Sequence, residues 1–285
     1  ISSTGGSIGG VLLLPLIILG VHTVGWRDVM LYSGIFTAIA IVPLGMMVRP
    51  SPESMGLQPD GIVPVTTGGE AQGSDALVQG SNRDYSVMEA IRTKVWWLLL
   101  MATTIGIGAS AAVQLHSVEI MVWKGMDEKT AGFMVTLLLL LSIPVRIGAG
   151  ALGVRYPIHL ILLAGRIAAA LAMISMLLLD GTLAIVVYIV LLAVENGGGT
   201  LAFAAMGNFF GRKSYGSLMG YMASAINVGM MLSPIYAGRI VDTHDGSYTL
   251  VLWTFVPIYI GAGLLFFLMG RPTRLPPPRP RRAAG

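Results

Sequence analysis

Residues 189–206, IVLLAVENGGGTLAFAAM, hold a single carboxylate, Glu195, in an otherwise apolar stretch. An ionised carboxylate at the centre of a membrane span costs roughly 2.5–3.5 kcal/mol on insertion scales, so an acid kept there is expected to serve a function. The chemistry open to it is pairing with a buried cation, exchange of a proton, or balancing the charge of a bound solute. Two arginines, Arg146 and Arg166, lie inside comparable apolar stretches. Counted at about 1.5 Å per residue from one end of their segments, all three charges fall about 12–18 Å in, so they can share a layer. A lone buried charge is far costlier than a paired one, and Glu195 is expected to meet an arginine or water.

The elements that must position these groups are membrane helices. Of 285 residues, 54% are hydrophobic and 11% charged, well below the roughly 25% charged share of a soluble domain. Runs near the ~20 residues needed to cross hydrocarbon recur at 7–21, 29–48, 95–118, 132–154, 158–179, 183–206, 217–241 and 250–269. The expected fold class is therefore an all-α membrane protein, a polytopic bundle of about eight spans, the first one short. There is no cysteine, which excludes a disulfide framework, a thiolate metal site and a catalytic thiol. No cofactor is expected.

The long break at 49–82 is rich in Gly, Pro, Ser, Thr and acids and reads as a linker. After it, DYSVMEAIRTKVWW reads as a short amphipathic helix leading to two interfacial tryptophans, with Ser86 and Glu89 at capping-box spacing. With the linker and the tail RPTRLPPPRPRRAAG placed inside, 12 of the 18 Lys and Arg fall on the inner side, as the positive-inside rule requires. The tail then lies near anionic lipid, not nucleic acid. A Gly-x-x-x-x-Pro core recurs as Gly10 to Pro15 and Gly229 to Pro234, each followed by a short outer loop and another span, the kind of repeat found in two-half transporters.

The chain resembles the major facilitator superfamily along nearly its whole length, through GWR from Gly25, RPSPESMGLQPDG from Arg49, RIGAGALGVRYP from Arg146, FGRKSYGSLMG from Phe210 and SPIYAGRIVDTHDGSY from Ser233. The resemblance implies a two-half fold of six plus six helices, of which this chain would supply the fifth to twelfth. Residues 1–48 are then the last two helices of the first half, 49–94 the cytoplasmic linker, 95–270 the second half and 271–285 the basic cytoplasmic tail. The motifs PESMGLQPDG and NFFGRK look most like bacterial branches that include monocarboxylate and oxalate/formate porters. Two departures stand out: Val154 precedes Arg155 where the family usually has Asp, and the segment 214–241 lacks the lysine that oxalate-type porters resemble one another in carrying.

The resemblance also sets the helices of Arg146 and Glu195 against the central cavity and that of Arg166 at the periphery. Arg146 is therefore expected to be the functional cation and the partner of Glu195, while Arg166 snorkels or braces the bundle. Polar residues recur on single helix faces: Thr103, Ser110, Gln114 and Ser117; Ser142, Arg146 and Gly150; Ser217, Tyr221, Ser224 and Asn227. The candidate substrate-binding set is Arg146, Glu195, Gln114, Ser110, Tyr221 and Asn227, and the candidate gating set is Arg155, Arg212 and Lys213. NGGGT at 196–200 is expected to serve close packing or a bend, and His116 is weighed as a packed residue against a proton relay.

These readings point to a secondary transporter of the cell membrane that moves a small solute by alternating access, most plausibly an organic anion such as a monocarboxylate, with a coupled proton or counter-solute. A drug or cation efflux carrier of the same fold is the alternative. A transporter-like receptor or structural subunit is the rival outside transport. An intramembrane serine protease is disfavoured because His116 follows Ser110 by six residues, off its helix face.

Overall fold

The computed structural model describes residues 23–47, 85–199, 201–211 and 214–269, with scattered positions between 9 and 21. The chain divides into two units, residues 9–82, and residues 83–285 together with 1–8. In the first unit, Gly25 turns the chain at φ +89° and α1 (Trp26–Met47) follows. Val29, at 9% exposure, packs against Gly20, where a Cβ would stand 2.9 Å from the Val29 Cγ2. The expected first span, 7–21, lies largely outside the described residues.

The second unit is a helical bundle. Helix α2 (Val87–Ile91) carries the expected capping box: the Ser86 N–H donates to Glu89 Oε2 at 2.9 Å and the Glu89 N–H to Ser86 Oγ at 3.3 Å. Thr93 then caps α3 (Lys94–Leu115) by accepting from the Trp96 N–H at 3.2 Å. His116 ends α3 and starts α4 (Ser117–Trp123), and Gly125, at φ +98°, turns the chain toward α5 (Glu128–Arg155). Asp127 caps α5, and the Thr130 backbone N–H it accepts from holds its carboxyl below the usual carboxylate range. There follow α6 (Ile158–Leu178), α7 (Gly181–Gly198), α8 (Leu201–Phe210), α9 (Tyr215–Thr243) and α10 (Thr249–Met269). Helices α7 and α8 fall within one 30-residue segment, Gly181–Phe210, long and apolar enough to cross a membrane.

Among the described residues, seven segments are long and apolar enough to cross a membrane, and their bounds fall within a few residues of those read from hydropathy. In the second unit α3 packs on α9 and α10, α6 on α7 and α10, and α5 on α7. Burial sorts into two apolar clusters. One gathers Val113, Ile120, Met173, Tyr188 and Phe255, the other Trp96, Leu99, Leu162, Met206 and Phe266. Many large apolar side chains face outward, among them Leu178, Leu183 and Phe267, as lipid requires.

Close helix approach depends on glycine. A Cβ on Gly108 would stand 3.2 Å from the Gly229 carbonyl group, and one on Gly229 3.1 Å from the Thr104 oxygen, so α3 and α9 touch backbone to backbone. Ser233 completes the seam by donating its hydroxyl to the Gly108 carbonyl. Gly229→Ala should therefore push the two helices apart and cost about 1–3 kcal/mol of stability. Gly220→Ala, on the same helix, adds a Cβ that meets nothing within 4 Å and should leave stability unchanged or slightly raised. Thermal unfolding of the purified variants in detergent compares the two.

Candidate functional site

Glu195 is 5% exposed and Arg166 is 4% exposed, in the band between the two apolar clusters. Arg166 Nη1 donates to Glu195 Oε1 at 2.6 Å. The same oxygen receives the Ser110 hydroxyl at 2.7 Å, and that hydroxyl also lies 2.8 Å from the Gly106 carbonyl, so its single proton serves one of two acceptors. Arg166 Nη1 is 3.2 Å from Ser110 Oγ, and Tyr259 Oη stands 3.5 Å from it. Three helices thus meet on one carboxylate oxygen, α3 through Ser110, α6 through Arg166 and α7 through Glu195, and α10 joins through the Tyr259 hydroxyl on Ser110.

Glycines make room for this pair. A Cβ on Gly106 would stand 2.5 Å from Arg166 Cζ and 2.6 Å from its Nε. A Cβ on Gly263 would stand 3.2 Å from Arg166 Cβ, whereas one on Gly165 would meet the Glu195 backbone at an ordinary 3.8 Å. In the glycine run, a Cβ on Gly197 would collide with the Val145 side chain, which is the close packing expected of NGGGT.

The pair lines one wall of a cavity of about 200 Å³. Ser110 and Gln114 of α3 and Arg146 of α5 join it there, with Asn196, Phe203 and Met230 adding wall the sequence reading had not singled out as site. Gln114 Nε2 donates to Asn196 Oδ1 at 3.4 Å across it. Three ionisable side chains line the space, two arginines and one glutamate.

Two expectations need correction. A cation held against Glu195 is Arg166, not a snorkelling side chain: its side chain is only 5% exposed and is set in the middle of α6 among Gly165, Ala168, Ala169 and Ala172, all buried. Arg146, expected as that partner, lines the cavity from α5. The stripe Ser217, Tyr221, Ser224 and Asn227 forms one exposed face of α9 and lies outside the cavity wall. Thr103 and Ser117 of the α3 stripe are buried at 0% and 2% and also lie outside the wall. Arg155 is exposed in the last turn of α5, while Arg212 and Lys213 fall outside the described residues.

His116 is packed, with Nδ1 3.0 Å from Tyr248 Oη and Nε2 3.4 Å from the Pro234 carbonyl. The carbonyl can only accept, which places a proton on Nε2. Burial, with Glu119 and Asp242 nearby, pushes the Tyr248 hydroxyl above its ordinary range and keeps it a donor. At the opposite end of the bundle the Tyr85 N–H donates to the Phe210 carbonyl at 3.1 Å and Ser214 Oγ to the Tyr85 carbonyl at 2.6 Å, so the segment entering α2 is tied to the α8–α9 turn.

A family model described as Major Facilitator Superfamily matches residues 1–209. No curated protein matches the chain.

Removing one member of a buried ion pair leaves the other charge uncompensated, which typically costs 3–5 kcal/mol. Arg166→Met and Glu195→Gln should each destabilise the protein by about that much, while the double variant should lose clearly less than the sum. Arg146→Met should show no such coupling to Glu195→Gln. A double-mutant cycle on thermal unfolding measures both.

Proposed function

The chain belongs to the major facilitator superfamily, is built as a bundle of membrane-crossing helices and is a secondary transporter; from that premise we propose that it moves a small organic anion, most plausibly a monocarboxylate, by alternating access. The observation that carries this is the cavity wall, where the guanidinium of Arg146 stands beside the Arg166–Glu195 pair, itself closed at 2.6 Å.

A guanidinium offers a carboxylate two parallel N–H donors, so Arg146 supplies direction as well as charge. Ser110, Gln114 and Asn196 add neutral donors and acceptors, and Phe203 and Met230 an apolar surface for the rest of the solute. The cation-efflux alternative asks Glu195 to be the docking charge, yet its Oε1 is occupied by Arg166 and Ser110. Arg155, with Arg212 and Lys213 of the α8–α9 turn, would latch the inner gate, and a proton or counter-solute would drive the cycle. The six helices from residues 94 to 269 would form one half of the transporter, with the linker and the tail on the cytoplasmic side of the cell membrane.

Two experiments follow. In the full-length protein, small monocarboxylates should raise the unfolding temperature, and Arg146→Lys, which keeps the charge but loses the fork, should weaken their binding by roughly 1–3 kcal/mol. Stabilisation by lipophilic cations alone would favour efflux instead. For orientation, single cysteines in this cysteine-free chain report directly. Cysteine at Gly125, in the α4–α5 turn, should react with a membrane-impermeant thiol reagent in intact cells, and cysteine at Arg92, beside α2, should be protected; the reverse pattern inverts the topology.

A further inference from the structure

We propose that Ser214 is a positioning residue of the inner gate: its hydroxyl latches the segment entering α2 onto the α8–α9 turn, and it releases that latch cheaply because the same side chain can cap α9 instead. The gate role rests on the reading of that turn, with Arg212 and Lys213, as the inner gate. The latch itself stands on geometry alone.

The latch forms where a helix end leaves a backbone group unpaired. Helix α8 stops at Phe210 and Gly211 turns the chain at φ +78°, so the Phe210 carbonyl finds no amide within its own helix. It receives the Tyr85 N–H at 3.1 Å instead. From the other end of the turn Ser214 donates its hydroxyl to the Tyr85 carbonyl at 2.6 Å. Both backbone groups of Tyr85 are thus held by the two ends of one turn. The Tyr85 ring meets Phe210 edge-on at 5.6 Å, and Phe210 meets Trp96 of α3 at 6.0 Å. Ala90 of α2 is buried in the same apolar cluster as Phe210, Leu218 and Met222.

What makes Ser214 more than a tie is the bond it leaves unmade. It stands just before the first turn of α9, where serine is favoured because its oxygen accepts an N–H from that turn. Here it makes no such bond. Its backbone explains why: ψ is 6°, whereas Ser86 and Thr93, which cap α2 and α3, are extended at ψ 157° and 142°. Swinging Ser214 to the extended conformation would give α9 its cap and take the hydroxyl away from Tyr85. One hydrogen bond replaces another, so the two states are close in energy. A change of that size in ψ redirects the turn that begins at Gly211, and with it Arg212 and Lys213.

The test uses the full-length protein in inside-out membrane vesicles, with two single-cysteine reporters in this cysteine-free chain. Val87→Cys reports on the latch, because Val87 packs on the apolar cluster against α2. Ala111→Cys reports on access to the cavity, whose wall Ala111 joins. Each is treated with a membrane-impermeant thiol reagent. Ser214→Asp, when ionised, cannot donate to a carbonyl but is a strong N-cap. It should make both reporters react several-fold faster while the unfolding temperature stays at the natural value or rises. Ser214→Ala loses the latch and gains no cap, so both reporters should again react faster and the unfolding temperature should fall. Ser217→Ala, which removes an exposed hydroxyl on the same helix, should leave both rates unchanged.

If Val87→Cys stays protected in both Ser214 variants, the hydroxyl does not hold α2 and the proposal is overturned. If Ser214→Asp lowers the unfolding temperature as far as Ser214→Ala, or does not fold, no cap replaces the latch and the switch is overturned. Should Ser214→Ala not fold, the comparison of Ser214→Asp with the natural protein decides alone. If Val87→Cys responds while Ala111→Cys does not, Ser214 holds the segment without governing the cavity, and its place in the gate is overturned. The gate reading is tested apart from Ser214: Arg212→Gln together with Lys213→Gln should also speed Ala111→Cys. An unchanged rate there sinks that reading, while the Val87→Cys result still decides the latch.

Discussion

The buried Arg166–Glu195 ion pair is the constraint on which the second unit depends. Each ion alone would carry a desolvation cost of several kcal/mol, and only a partner of good geometry with further hydrogen bonds offsets it. The structure meets that condition by bringing α3, α6 and α7 to one carboxylate oxygen, with Tyr259 of α10 reaching the Ser110 hydroxyl beside it. In hydrocarbon there is no hydrophobic force between helices, so polar contacts and close packing must hold the bundle. A pair that only one arrangement of four helices satisfies therefore specifies that arrangement. It sits in the band between the two apolar clusters, with the Ser233–Gly108 and Gln114–Asn196 hydrogen bonds close by on α3.

Small residues are the other side of the same constraint. Gly106 and Gly263 flank Arg166 from α3 and α10, and Gly197 seats α7 on Val145 two residues beyond Glu195. Their role is volume, since none of the three has a positive φ. Turn glycines form a separate class: Gly125 and Gly246 adopt φ of +98° and +76° where the chain reverses, and an added Cβ there would meet nothing. The same residue type thus serves two physical ends, and only the structure separates them.

The spans were legible in the sequence because hydrocarbon thickness dictates their length and charge content, and the bounds of α6 and α10 follow almost residue for residue. Glu195 was legible as the decisive acid for the same reason. Its partner was not. Depth along a helix is a one-dimensional quantity, and Arg146 and Arg166 share it; what separates them is the direction each side chain faces, which hydropathy does not encode. A signal was nonetheless present in AGRIAAALA, since an arginine set among alanine and glycine on a helix buried around most of its circumference has no route to the interface. The polar stripes misled in part for a related reason. Spacing puts Thr103, Ser110, Gln114 and Ser117 on one face, but only Ser110 and Gln114 line the cavity, Thr103 standing about two turns before them and Ser117 past the break at His116.

A fixed neutral pair in the wall of a charged cavity has a consequence for any solute that enters. A guanidinium free to choose would be drawn to an incoming carboxylate and would bind mono- and dianions alike. Held at 2.6 Å by Glu195 and hemmed in at Gly106, Arg166 has already spent its strongest interaction inside the protein. What it presents to the cavity is a dipole, beside the guanidinium of Arg146. On the proposed reading, discrimination between anions then lies less in the number of arginines than in how firmly one of them is kept from the solute.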